Sequence, residues 1–238
     1  MDYCLMMRKI TLGTTYYENP ENLKVFIRKH QSVVDHLIIV DDGSKIYPIE
    51  SILDKVPNDN LIVYKVTKDY GFNSHGCRNL IMHESPTDWT ILMDCDRVMN
   101  EPIVMSQSIK NRRLRTNCRY RFVVHTSSPG IGTHPSVNDY LIHRDHFFSV
   151  GGYDEELQGV RTGDRQFFRQ LLCSDGSERV LHDCEICFTR GPSVNPNNII
   201  VSNKDRPASN QMVELVKKRE IEPEPNKPIL TFDWTRLR

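Results

Sequence analysis

The sequence has no excess of either charge: 31 Lys and Arg stand against 31 Asp and Glu in 238 residues. No overall field therefore draws the chain to nucleic acid, a membrane surface or a polyanionic substrate, and any charged site must be local. Also missing is an apolar run of about eighteen residues or more, the minimum for a membrane-crossing helix. Met1 to Arg8 is too short and too weakly apolar for a signal-peptide core. A cytoplasmic chain with no transmembrane segment is the expectation. The seven cysteines (Cys4, Cys77, Cys95, Cys118, Cys173, Cys184 and Cys187) are odd in number and scattered, which suits reduced thiols better than a disulfide framework. There is no internal repeat, and the low-complexity content ends at Glu222 to Pro225, a stiff linker. Neither a Walker loop nor a Gly-x-Gly-x-x-Gly turn is present.

What is present alternates. Arg8 to Thr15 reads as a strand, and Asn19-Pro20-Glu21 then supplies an N-cap, a first-turn proline and an acidic first turn. Leu23, Phe26, Ile27, His30, Val33 and Val34 follow at the spacing of one helical face. His36 to Val40 is a short apolar run closed by Asp41-Asp42-Gly43-Ser44, the pattern of a buried parallel strand ending in a turn. Ile49 to Leu53, Leu61 to Val66, Asn73 to His83 and Trp89 to Met93 continue as helix, strand, helix and strand. Helices are expected over Pro102 to Lys110, Thr162 to Cys173 and Met212 to Arg219, and strands over Tyr120 to His125 and Asp139 to His143. Ser127 to Pro135 reads as a loop, residues 190 to 210 as irregular chain, and Ile229 to Trp234 as a segment that docks back. The fold class is α/β, with a mostly parallel central sheet flanked by helices and an irregular C-terminal extension. The expected division is one domain over 1–190, with a nucleotide-binding half at 8–100 and an acceptor half at 101–190, and an extension over 191–238 packing on it.

In an open parallel sheet, ligands bind beyond the carboxyl ends of the strands. Three such ends carry chemistry: Thr14, Thr15 and Tyr16; Asp41 to Ser44; and Asp94-Cys95-Asp96. If the strand geometry persists, Asp94 and Asp96 point to the same side and repel unless a hard divalent cation, Mn²⁺ or Mg²⁺, neutralises them. An acidic turn is the plainer account of the same residues. Ser74, Gly76 and Cys77 surround a helix amino end beside Arg78, a combination suited to phosphate oxygens; an exposed arginine on a capped helix is the alternative. Asp164 stands at a helix mouth, as a cap or as a base for an acceptor hydroxyl.

Ile38 to Ser44, the Tyr70-Gly71 and Cys77-Arg78-Asn79 segment, Leu92 to Asp96 and Gly151 to Glu155, in that order, resemble family 2 glycosyltransferases of the GT-A fold. The resemblance spans roughly residues 8 to 190. It implies a metal-dependent, inverting transfer from a nucleoside-diphosphate sugar, most simply a UDP-sugar, to an acceptor hydroxyl. It further implies that Thr14, Thr15 and Tyr16 line base and ribose, that Asp41 or Asp42 meets the base edge, and that Arg78 lies near the nucleotide. Asp94 would touch ribose or sugar, Asp96 would hold the metal, with Asp94 beside it, and Asp164 would be the catalytic base. Where the family has Glu-Asp, this chain has Gly163-Asp164, which removes the neighbouring acceptor-binding carboxylate. His182 is a candidate third metal ligand, as in some relatives of the fold. Cys184 and Cys187 lack a partner pair for zinc.

The alternative is a module with this fold that binds a nucleotide sugar or a nucleic acid without turnover. Gly163 favours it, as does the basic run from Lys110 to Arg115. The acceptor class stays open, glycan and nucleic acid included, and donor discrimination falls to the loop between Ser127 and Asn138.

Overall fold

A computed structural model describes residues 8–53, 56–57, 59–71, 73–125, 133–157, 163–189, 214, 217–218 and 226–238. Residues 1–7, loop positions 126–132, the irregular stretch 190–210, most of the helix expected at 212–219 and the linker at 222–225 lie outside these described residues.

The alternation read from the sequence is the frame of the molecule. Strand β1 (Ile10–Tyr16) leads into helix α1 (Pro20–His30), β2 (His36–Asp41), α2 (Glu50–Leu53), β3 (Leu61–Val66), α3 (Ser74–Glu84) and β4 (Trp89–Leu92). Asn19 caps α1, its side chain accepting from the Asn22 amide, and Asn73 caps α3 by accepting from Gly76. β3, β2, β1 and β4 lie side by side and parallel, β1 pairing Leu12 with Leu37 on one side and with Ile91 on the other.

An antiparallel strand flanks this parallel core on each side. After β4 come β5 (Arg97–Met99), α4 (Pro102–Asn111), β6 (Cys118–His125), β7 (His134–His143), α5 (Arg144–Phe148), a 3₁₀ turn at Glu155–Leu157, α6 (Gly163–Cys173), β8 (Ser177–Phe188) and β9 (Trp234–Arg236). The sheet has nine strands in the order β5-β8-β6-β7-β4-β1-β2-β3-β9, with β7 antiparallel to β4 and β9 antiparallel to β3. Apolar residues of β1 and β2 on one face, Leu12 and Leu37 among them, pack with Phe26 of α1 and Ile109 of α4; on the other face, Ile38 and Val40 pack with Ile81 of α3 and Phe167 of α6. The sheet is thus covered on both faces, as its short continuous apolar strands require.

β3 would be an open edge were it not covered by the C-terminal segment, which adds β9 there. One buried carboxylate anchors that segment. Glu155 accepts from Asn79 Nδ2 and the Leu230 amide through Oε1, and from the Thr231 amide and hydroxyl through Oε2. Phe232 then lies against Gly76 of α3, where an added Cβ would stand 2.4 Å from its ring.

Replacing Glu155 with alanine strands these donors in a buried site. We expect the Glu155→Ala protein to lose about 3 kcal/mol in urea denaturation, and hydrogen exchange over residues 226–238 to accelerate more than in β1 or β2. Unchanged exchange in that segment would show that it is held by other contacts.

Candidate active site

Beyond the carboxyl ends of β1, β2 and β4 the chain turns and buries several polar groups without protein partners. Thr14 and Thr15, near the end of β1, point to opposite faces of the sheet, and the Oγ1 atoms of both are buried and unpaired. Tyr16 donates its hydroxyl to the Tyr47 carbonyl at 2.5 Å, tying β1 to the loop after β2. Glu18 reinforces that tie, accepting from the amides of Lys45, Ile46 and Tyr47.

The two aspartates after β2 divide the work between faces. Asp41 accepts from the Ser44 amide at 2.8 Å and the Ile49 amide at 3.1 Å, so both its oxygens shape the Asp-Asp-Gly-Ser turn. Asp42 accepts from the Asn73 amide at 2.7 Å through Oδ2, whereas its Oδ1 is buried without a partner. Burial pushes the Asp42 carboxyl up to about 8 against the hydrogen bond from Asn73, and raises that of Asp41 as well. Gly43 makes the turn with φ +81°, and a side chain there would strike the Asp69 backbone at 2.8 Å.

Asp94 and Asp96 do not continue the strand. β4 ends at Leu92, and the Arg97 amide closes a turn onto the Asp94 carbonyl at 3.0 Å. The alternation argument for their shared side therefore does not apply; a β-turn sets their relation instead, because the chain must reverse into β5 to meet β8. Their charges still interact: burial first, then the Asp94 charge, raises the Asp96 carboxyl above its ordinary value. Arg97 Nε stands 3.8 Å from Asp96 Oδ1, and Asp96 keeps about half of its side chain exposed (48%).

Arg78 is neither exposed nor a free fork for phosphate. Its side chain, 6% exposed, donates to Asp94 Oδ1 at 2.7 Å, to the Asn138 carbonyl at 2.9 Å and to the Tyr153 hydroxyl at 3.4 Å. The position one turn inside α3 points it along the helix, across the end of β4, rather than toward the helix mouth. Asp139, on β7 beside β4, enters the sequence reading only as the first residue of an expected strand and not as a site residue. It is buried, accepts from the Asp94 amide at 2.8 Å and from the Ser136 hydroxyl at 2.6 Å, and its carboxyl is raised first by burial and then by Asp94. An acidic residue directly before the apolar run Tyr140 to Ile142 was the available signal.

Asp164, in the first turn of α6, meets this network from the other side. His75 Nε2 of α3 lies 3.5 Å from Asp164 Oδ1, and the His75 ring stacks on Tyr153 with centroids 4.8 Å apart. Burial alone would raise the Asp164 carboxyl, but His75 first, and then Arg78, hold it below the usual range. The hydroxyls of Tyr140 and Tyr153 share one hydrogen bond at 2.8 Å. Asp94, Arg78, Tyr153, His75 and Asp164 thus form one continuous chain of contacts.

His182 is not brought to this rim. It lies in a bulge of β8 with its side chain exposed, next to Asp183, which Ser108 and Arg112 hold at the carboxyl end of α4. The strand reaches Arg97 only at Phe188, on the order of 10 Å further along. The basic run is partly spent, Lys110 pairing with Asp35 at 2.9 Å and Arg112 with Asp183.

Carboxylate oxygens in mutual repulsion suit a hard divalent cation, so Asp94 and Asp96 fit Mn²⁺ or Mg²⁺ by donor chemistry. Among the described residues no group of three or more His, Cys, Asp or Glu is arranged to hold a metal. A cation here would keep positions for water and phosphate, the usual arrangement when Mg²⁺ meets a nucleotide.

The raised Asp42 carboxyl has a consequence for stability. Its folded value of about 8 exceeds the unfolded value near 3.9, so the folded state holds the proton more tightly. That contribution is complete below about pH 4 and is lost as pH rises toward 8. Urea midpoints should therefore fall over this range, and in Asp42→Asn the fall should be smaller by at least about 1 kcal/mol. Parallel curves for the two proteins would mean that Asp42 ionises normally.

By sequence, no protein-family profile and no curated protein matches the chain. By structure it resembles several solved enzymes. A mannosyltransferase from Pyrobaculum calidifontis, PcManGT in complex with GDP-Man and Mn²⁺, aligns over 95% of this chain and 69% of its own, with TM-score 0.64 and 13% identity. GalNAc-T7 with UDP, GalNAc and Mn²⁺ aligns over 91% of this chain with TM-score 0.61 and 13% identity, and S. aureus TarS over 91% with TM-score 0.51 and 13% identity. The chain spans about half the length of these last two, 54% and 44%. No helix among the described residues is long and apolar enough to cross a membrane. Together, the parallel core, the antiparallel β7 and the match over nearly the whole chain establish the GT-A fold of glycosyltransferases.

Proposed function

We propose that this chain is an inverting, metal-dependent glycosyltransferase that moves a sugar from a nucleoside-diphosphate sugar, a UDP-sugar most simply, to an acceptor hydroxyl. The observation that carries the reading is the single contact chain joining the acidic turn Asp94–Asp96 to an ionised carboxylate, Asp164. A structural neighbour holding UDP and Mn²⁺ and another holding GDP-Man and Mn²⁺ lend support at the level of the fold.

In this reading Thr14, Thr15 and Tyr16 line base and ribose, and the unpaired Oδ1 of Asp42 is available to the base edge. Asp41 serves by shaping the turn. Asp94, with one oxygen fixed by Arg78, presents the other to ribose or sugar, and Asp96, the more exposed of the two, is the principal metal ligand. When bound, Mn²⁺ or Mg²⁺ would neutralise charge building on the departing diphosphate. Arg78 acts indirectly, by fixing Asp94 and Tyr153. The acceptor oxygen forms its bond to the anomeric carbon as the bond to the diphosphate breaks on the opposite face, and the acceptor proton passes to Asp164.

A depressed carboxyl is a weak base, so transfer to Asp164 must come late, when the attacking hydroxyl has become acidic. The compensation is that Asp164 is ionised throughout the neutral range. Gly163 supplies no second carboxylate for the acceptor, and on that ground a donor-binding module without turnover is the competing reading.

Calorimetric titration with UDP, GDP and CDP, with and without Mn²⁺, separates these. UDP binding should require Mn²⁺, and Asp96→Ala should weaken it at least about tenfold; metal-independent binding, or none, would sink the metal assignment. On the UDP-sugar that is turned over, Asp164→Asn should lower kcat by about 10² to 10⁴ with UDP affinity retained. Turnover close to the unsubstituted protein's would remove Asp164 from the base role.

A further inference from the structure

Asp164 has a companion that the transfer chemistry above does not use. His75 sits on the first turn of α3 with its side chain 3% exposed, behind an Asp164 side chain that is 20% exposed. Asp164 is the more open member of the pair and the imidazole the enclosed one. The ring is stacked on Tyr153, with centroids 4.8 Å apart and planes at 14°, which sets its orientation.

We infer that His75 is the positioning residue of the base: its Nε2–H holds Asp164 Oδ1 and leaves the other carboxylate oxygen to receive the acceptor proton. The inference rests on the assignment of Asp164 as base. An ionised carboxylate accepts only, so a neutral imidazole here carries its proton on Nε2 and leaves the Nδ1 lone pair over. Nδ1 is indeed buried with no partner. Such an orphan costs about 1–3 kcal/mol, a cost that a phenylalanine stacked on Tyr153 would avoid. What the histidine adds over a plain ring is the contact to Asp164.

The other groups facing Asp164 are Arg78 from α3, Tyr153 from the glycine turn and Tyr140 from β7. Arg78 is committed to Asp94, and the two tyrosines carry no charge. Among these, the His75 hydrogen bond is the foremost contribution that opposes burial.

The test is a ¹³C-carboxyl NMR titration of the full, metal-free chain, with the Asp164 signal identified by its loss in Asp164→Asn. In His75→Phe, which keeps the stack, the Asp164 midpoint should rise by about one pH unit or more; His75→Gln, which keeps an N–H donor, should bring it back toward the unsubstituted value. An unshifted midpoint in a folded His75→Phe protein overturns the proposal. Should that variant not fold, the ring ¹⁵N shifts of the unsubstituted protein decide: a proton on Nε2 supports the role and a proton on Nδ1 ends it. Failure of the base assignment reads differently. Full turnover by Asp164→Asn would sink that assignment whatever the titration shows, whereas an inactive Asp164→Asn with an unshifted His75→Phe midpoint sinks the His75 role alone.

Discussion

A buried guanidinium holds this site together. Arg78 is locked under the rim by Asp94, the Asn138 carbonyl and the Tyr153 hydroxyl, and each partner belongs to a different part of the chain. Removing such a charge from water is costly unless donors and carboxylate are matched, and a planar fork that serves three acceptors at once is one of few side chains able to do it. The arrangement couples the turn after β4 to β7 and to the glycine turn before α6. Through Tyr153 it reaches Asp164, so the two acidic ends of the cleft are set by one side chain.

Around that cation the protein concentrates carboxyls. Asp42 and Asp139 are fully enclosed and their carboxyls are raised, whereas Asp164 is held low by His75 and Arg78. Burial is the first cause that raises Asp42 and Asp139, whereas at Asp164 His75 and Arg78 outweigh it. Pairs of acids driven apart in this way separate an ionised base from groups that stay protonated near neutrality.

The frame keeps this arrangement rigid. Glu155 joins Asn79 of α3 to the C-terminal segment, and Asn79 in turn clasps the Tyr153 backbone from both sides, accepting from its amide and donating to its carbonyl. Gly152, at φ +76°, lets Asn79 approach where a Cβ would stand 2.7 Å from its Oδ1. The Gly-Gly-Tyr-Asp-Glu segment is thus a joint whose two ends serve different tasks, Tyr153 toward the cleft and Glu155 toward the sheet edge.

The sequence by itself determined the parallel half: β1 to β4, the caps at Asn19 and Asn73 and the placing of acidic turns at strand ends are local matters of apolar period and backbone chemistry. It also marked Asp94, Asp96 and Asp164 as worth attention. Only the tertiary structure decided what those residues touch. The turn at Asp94 replaced an extended geometry because β5 must reverse to meet β8, a strand that comes much later in the chain. His182 fell in a bulge away from the rim, Arg78 turned inward, and Asp139 and His75 joined the site from β7 and α3. Local periodicity says which face a residue takes; which distant carboxylate or imidazole waits there depends on strand order, and strand order is settled by long-range packing that no short window of sequence contains.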